Sequence, residues 1–167
     1  MKRLFSLMAC IVLAMMLFVA CSDKESEKEK KKDENTVVTI DVAATADSLL
    51  DNVAFVDDMT AIESIDFFAA LFSIEKEDVK EQKSYTSTGA TAEMISAVKC
   101  TDANAAKRVK EAFEAYTKDL SGQYADYKPE ECEKLDNPVI KVYNEYVIIC
   151  VSDDNDTATK KIEEQVK

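Results

Sequence analysis

The segments AAKRVKEAF (105–113) and ATKKIEEQV (158–166) match without a gap. Each comes after an apolar run, a hydroxyl residue, an Asp and an Asn two positions further on. Each also follows a pair of strand-like stretches, and this shared order limits the chain to few arrangements. Val79–Tyr85 and Ala92–Lys99 read as two strands joined through TSTGA, with Gly89 in the turn. PVIKVYNEYVIICV (138–151) reads as a hairpin turning at Asn144–Glu145. Asn tolerates positive φ, but Glu is a poor second residue for a two-residue turn, which leaves a longer turn open. Between the hairpins, Ala106, Val109, Phe113, Tyr116 and Leu120 recur at helical spacing, capped by Thr101 or Asp102 and ended by Gly122. Ala158, Ile162 and Val166 mark a shorter C-terminal helix. The order ββα-ββα predicts an α+β domain with a four-stranded antiparallel sheet and helices on one face. The echo itself has two readings, a repeated unit or a shared capping grammar.

Two helices precede these units. Val42, Ala46, Leu49, Leu50 and Val53 lie on one helical face behind Asp41 as N-cap. Thr60–Phe72 carries Ile62, Ile65, Phe68 and Phe72 and predicts a second, mostly buried helix. Foldable patterning therefore covers 36–167 as a single domain.

The chain has 167 residues and 47% apolar content, enough for one domain plus extras. Formal net charge is −12, and the first twenty residues hold two bases and no acid, so the remainder carries −14. Such acidity gives no footprint for nucleic acid and would favour basic partners or divalent cations, but solubility is the better explanation. The absence of His removes the commonest general base and the commonest metal ligand together. The five cysteines, at 10, 21, 100, 132 and 150, form no CxxC pair, which speaks against structural zinc and thioredoxin-like chemistry.

Residues 1–20 have the parts of an export signal: basic Lys2 and Arg3, apolar Leu4–Val19, then small Ala20. FVAC (18–21) resembles the lipobox of bacterial lipoprotein precursors, with Phe18 in place of the usual Leu. LMAC (7–10) is similar but leaves too short an apolar region. The resemblance implies cleavage before Cys21 and a diacylglyceryl group on its thiol. Ser22–Asn35 has no apolar residue and reads, with Cys21, as a disordered charged tether over 21–35. Fully extended it would reach on the order of 45–50 Å. The competing reading is an uncleaved transmembrane helix, because the apolar run is just long enough to span. Five lysines after it and two bases before it would then place the C-terminal side in the cytoplasm. Those lysines alternate with six acids, and a small residue and Cys stand where the hydrophobicity ends, which favours lipidation.

TSTGATAEMISAVKCTDANAAKRVKEAFEAY, then YKPEE, then NPVIKVYNEYVIICVSDDNDTA resemble the domain-of-unknown-function family 4358. The likeness covers Val79–Val166 and, more weakly, extends back to Asp41. Met94 stands where a second acid is expected and Glu145 where Gly is expected. The resemblance implies a small lipoprotein on the outer face of a Gram-positive membrane, and supplies no activity and no catalytic residues.

Four constellations hold possible chemistry. DDNDTATKKIEE (153–164) has oxygen ligands at calcium-loop spacing, but Ala158 replaces the turn glycine and the stretch has helical periodicity. Helix-capping acids explain it better. Cys100 and Cys150 could pack as small apolar residues or form a bridge between neighbouring strands. Asp57–Asp58, Glu130–Glu131–Glu133 and Asp153–Asp154 could supply a catalytic carboxylate pair, yet read more simply as solvated loops. Tyr116, Tyr124, Tyr127, Tyr143 and Tyr146 could form a recognition surface, with Tyr116 assigned to the core.

These features point to a membrane-anchored extracytoplasmic lipoprotein carrying a non-catalytic interaction module for an envelope protein or peptide. The alternatives are a small-ligand or cation-binding lipoprotein and an envelope enzyme using carboxylates. No catalytic, cofactor or metal residue is assigned, and the partners expected are membrane lipid through Cys21 and a protein or peptide. Replacing Cys21 with Ala should move the protein from the detergent phase to a soluble or unprocessed form. Unchanged membrane retention with an intact N-terminus would establish the transmembrane reading instead.

Overall fold

The computed structural model describes residues 38–167, so the export signal, Cys21 and the tether lie outside the described residues. Thr39 and Lys167 exchange backbone hydrogen bonds of 3.0 and 3.3 Å, which ties the start of the domain to its end. Helix α1 (Val42–Asn52) starts where expected, with Asp41 Oδ1 accepting from the Ala44 N–H at 2.9 Å. Strand β1 (Thr60–Ala61) and helix α2 (Ile65–Phe72) follow, the latter capped by Ser64. Next come β2 (Val79–Thr86), β3 (Met94–Cys100) and α3 (Ala103–Tyr124), where Asp102 accepts from the N–H groups of Asn104 and Ala105. The short α4 (Cys132–Asp136) leads into β4 (Val139–Tyr143), β5 (Tyr146–Val151) and α5 (Asn155–Glu163).

The sheet has five antiparallel strands in the order β1-β2-β3-β5-β4, one more than expected. The extra strand corrects the helix expected over 60–72. Thr60 and Ala61 pair with Thr86 and Tyr85, and the Ile62 N–H donates to the Ser84 carbonyl at 2.9 Å. The helix waits for Ser64, whose hydroxyl accepts from the Phe67 N–H. Two paired residues carry no periodicity, so only the neighbouring edge of β2 reveals this strand.

Helices cover both faces of the sheet, not one. Met94, Val98, Cys100, Val147, Ile149 and Val151 meet α2, α3 and α4 through Phe68, Phe72, Val109, Phe113 and Leu135. Ile95, Ala97, Tyr146, Ile148 and Cys150 meet α1 and α5 through Ala46, Leu49, Ala158 and Ile162. The aromatic centre of the first core is edge-to-face, with Phe72 and Phe113 centroids 5.1 Å apart. Placing α3 and α5 on opposite faces also decides the meaning of the echoed segments. A two-fold axis relating the hairpins across the antiparallel β3–β5 pair would keep both helices on one face. The equivalent positions Ala105/Ala158 and Val109/Ile162 are buried in different cores, so the echo is a shared grammar of capping and burial.

The turn expected at Asn144–Glu145 holds, and the helix end expected at Gly122 changes. The β4–β5 connection is a two-residue turn, with Tyr143 opposite Tyr146 and positive φ confined to Asn144 at 52°. Helix α3 runs through Gly122 to Tyr124, because Ser121 bonds Asp136 beyond the helix and Tyr124 bonds the Thr91 carbonyl in the turn before β3. A Cβ at Gly122 would meet nothing within 4 Å. Replacing Gly122 with Ala should therefore raise stability by about 0.5–1 kcal/mol in chemical denaturation. Gly89→Ala should lower it by about 1–2 kcal/mol, because φ is +94° there.

Candidate functional site

A buried charge cluster sits where β3 begins. Glu93 is 1% exposed. Its carboxylate accepts the backbone N–H groups of Val56 and Asp57 at 3.0 Å and the Thr91 hydroxyl at 2.9 Å. Lys134 of α4, 5% exposed, places Nζ 3.3 Å from Glu93 Oε1 and 3.2 Å from both Glu131 Oε2 and Asp153 Oδ2. Glu131, also buried, accepts the Ala92 N–H at 2.9 Å and lies 3.3 Å from Lys128 Nζ. Lys128 also donates to the Ala90 carbonyl, and the Tyr124 hydroxyl donates to that of Thr91 at 2.8 Å. One knot thus joins the loop after α1, the turn before β3, the end of α3, α4 and the loop after β5.

Three carboxylates face two ammonium groups, leaving one negative charge. Burial disfavours the Lys134 ammonium, but its hydrogen bonds to Glu131 and Asp153 and the charge of Glu93 outweigh that cost and raise its pKa. Burial likewise opposes ionisation of Glu131, yet the Ala92 N–H, Lys134 and Lys128 hold its carboxyl below the usual range. At neutral pH the pair is locked as ammonium and carboxylate, with no free amine and no protonated acid to transfer. The cluster acts as a clamp, and general acid–base work would need the opposite shifts.

The sequence predicts solvated loops at the acid runs. The structure brings one member of each to this knot. The Asp57 backbone donates to Glu93, while its own carboxylate holds Thr88; Glu131 and Asp153 pair with Lys134. Asp154 caps α5, and the calcium-loop stretch is helical over Asn155–Glu163. Lys134, which sequence reasoning missed, had one local mark: it lies three residues after Glu131 and beside Leu135 in an otherwise acidic segment.

The cysteines and tyrosines separate. Cys100 and Cys150 point to opposite cores of adjacent strands, and Cys150 pairs with Ile95, five residues along β3 from Cys100. That offset, about 17 Å, precludes a bridge. Both thiols are free, and burial pushes each up to about 12, which makes them inert. Tyr116, Tyr124 and Tyr127 lie with α3, whereas Tyr143 and Tyr146 pack on the α1–α5 side, so the five form no common surface. Tyr116 packs against the core as expected.

Beside the knot runs the outer edge of β4. The two-residue turn makes Tyr143 and Tyr146 a hydrogen-bonded pair, as are Lys141–Ile148 and Val139–Cys150. Ile140 and Val142 therefore turn their N–H and C=O groups outward, and among the described residues no backbone or side-chain group bonds them there. A groove of about 690 Å³ follows this edge. Thr117, Leu135, Pro138 and Ile140 form its floor, and Lys110, Glu114, Lys118 and Asp136 its rim. A smaller cavity of about 370 Å³ opens beyond Lys134, lined also by Asn137, Ser152, Asp153 and Asn155. Among the described residues no three His, Cys, Asp or Glu side chains are grouped to hold a metal, and no helix is long and apolar enough to cross a membrane.

Lys134→Met should cost about 3–5 kcal/mol at pH 7, because it strands two buried carboxylates. The sign of the pH dependence identifies the cause. In the parent, the lowered Glu131 pKa contributes stability above its ordinary value of 4.5 and loses it as pH falls. The raised Lys134 pKa contributes below 10.5 and loses that as pH rises through the folded-state value. The variant should instead gain stability from pH 7 to 5 as its unpaired carboxylates take up protons, measured by urea unfolding at each pH.

No curated protein and no solved structure matches the chain. A family model described as a domain of unknown function, DUF4358, matches residues 51–152. The match takes in Glu93, Glu131, Lys134 and both walls of the groove, and stops one residue before Asp153. The chain belongs to the DUF4358 family.

Proposed function

We propose that this chain is a lipoprotein anchored through lipidated Cys21 on the outer face of a Gram-positive cell membrane. Its domain is a non-catalytic interaction module for an envelope protein or peptide. The observation that carries the module reading is the open edge of β4 with the groove beside it. An apolar floor with a charged rim is the usual anatomy of a protein-binding surface. Supporting this, Lys134 and Glu131 are held as ammonium and carboxylate, and the thiols of Cys100 and Cys150 are inert. The anchor rests on the export signal and the FVAC motif.

A second reading has one observation in its favour. The Asn155 Oδ1 is buried without a hydrogen-bond partner, beside the smaller polar cavity. A small ligand offering a donor would satisfy it.

Photocrosslinking in cells separates the two. A benzophenone amino acid at Val142, 41% exposed, should yield a discrete protein adduct, while the same group at Val56, 78% exposed, should not. Equal labelling from both positions, or none from Val142, would remove the support for the module and leave the small-ligand reading.

A further inference from the structure

The outward groups of Ile140 and Val142 repeat at the two-residue spacing of a strand edge, and only another extended backbone matches that row of donors and acceptors. At the opposite edge, β1 and the Ile62 N–H cover β2 over Ser84–Thr86, and the Gln82 side-chain amide donates to the Ile62 carbonyl. Residues of an added strand would point alternately to the two faces. One set would enter the groove over Ile140 and beneath α3. The other would lie near Lys141, which is 3.7 Å from Glu163 on the α5 side.

Charge narrows the occupant. Residues 36–167 hold 14 Lys and Arg and 27 Asp and Glu, a net −13. The groove departs from that average: Lys110 pairs with Glu114, and Asp136 accepts from Ser121. The two cations and two anions of the rim balance, and of the four only Lys118 has neither an ion-pair nor a hydrogen-bond partner among the described residues. A second copy of this chain fits poorly. The register in which Ile140 bonds Val142 of the other copy sets the two Lys141 side chains opposite each other, and each domain carries the same large negative charge.

Resting on the module reading above, we infer that β4 takes an extended peptide segment of a partner as a sixth strand. The segment is apolar at alternate positions, which fill the groove, and bears a carboxylate that pairs with Lys118. Main-chain bonds supply the affinity, and the groove and Lys118 supply the selection.

Random peptides of roughly ten residues, displayed on yeast, would be selected against the full-length protein in detergent micelles. Enriched sequences should alternate apolar and polar residues with one conserved acid. N-methylating the amides that face β4 should weaken a selected synthetic peptide at least about tenfold, while methylating the intervening amides should change it less than about twofold. Val142→Pro removes an outward N–H without touching the bonds to β5 and should reproduce the loss. Lys118→Ala should weaken acid-bearing peptides several-fold and leave their Gln analogues unchanged. Indifference to N-methylation would overturn strand addition. So would failure to enrich any peptide while Val142 still crosslinks a protein, an outcome that keeps the module and rejects this mode. Absence of both enrichment and crosslinking would reject the module itself. A dimer in sedimentation that Val142→Pro abolishes would assign the edge to self-pairing instead.

Discussion

The β3–β5 pair is buried on both faces, and the rest of the domain follows from that constraint. All six residues of β5 and six of seven in β3 are buried. Two separate cores must therefore be built against one wall, which needs helices above and below it. The polar side chains inside this wall are satisfied locally, as where the Ser84 and Ser96 hydroxyls share a 2.7 Å hydrogen bond across β2 and β3. Glu93, at the entrance to β3, is a charge brought against it, and it cannot remain there unpaired.

That requirement links the fold to the groove. Lys134 answers Glu93 and, by doing so, fixes α4 at the end of the sheet. The next residues of the same helix, Leu135 and Asp136, with Pro138 beyond, form part of the groove along β4. A buried ion cluster adds little net stability over an apolar substitute of the same shape. Its value here is positional: it allows one placement of α4 and one course for the loops around it. The open edge of β4 is thus presented by a rigid surround, which is what an interaction surface needs to limit the entropy lost on binding.

Much of the local structure was legible. Asp41 and Asp102 cap their helices, Gly89 sits in the turn between β2 and β3 with positive φ, and both hairpin strands fall within a residue or two of their expected limits. The two-sided burial was also written in the chain, since YVIICV is a continuous apolar run with no alternation. Two-layer packing would have asked for alternation, so the expectation of helices on one face gave too little weight to that run. Other features left no mark. A two-residue strand has no period, and Gly122 stays helical because the tertiary contacts of Ser121 with Asp136 and of Tyr124 with Thr91 outweigh its propensity.

Sequence alone determined the longer helices and strands, their order and the caps at Asp41 and Asp102, because these depend on residues three or four positions apart. It also determined the acidity of the domain and the absence of His, and hence which chemistries lack their usual groups. Tertiary structure decided which face each helix covers, where the tyrosines and cysteines part company, and that Glu93, Glu131 and Asp153 meet at Lys134. It also decided which strand is left with an open edge. Those outcomes depend on strand order and side-chain direction, and a strand shifted by one residue turns every side chain to the opposite face.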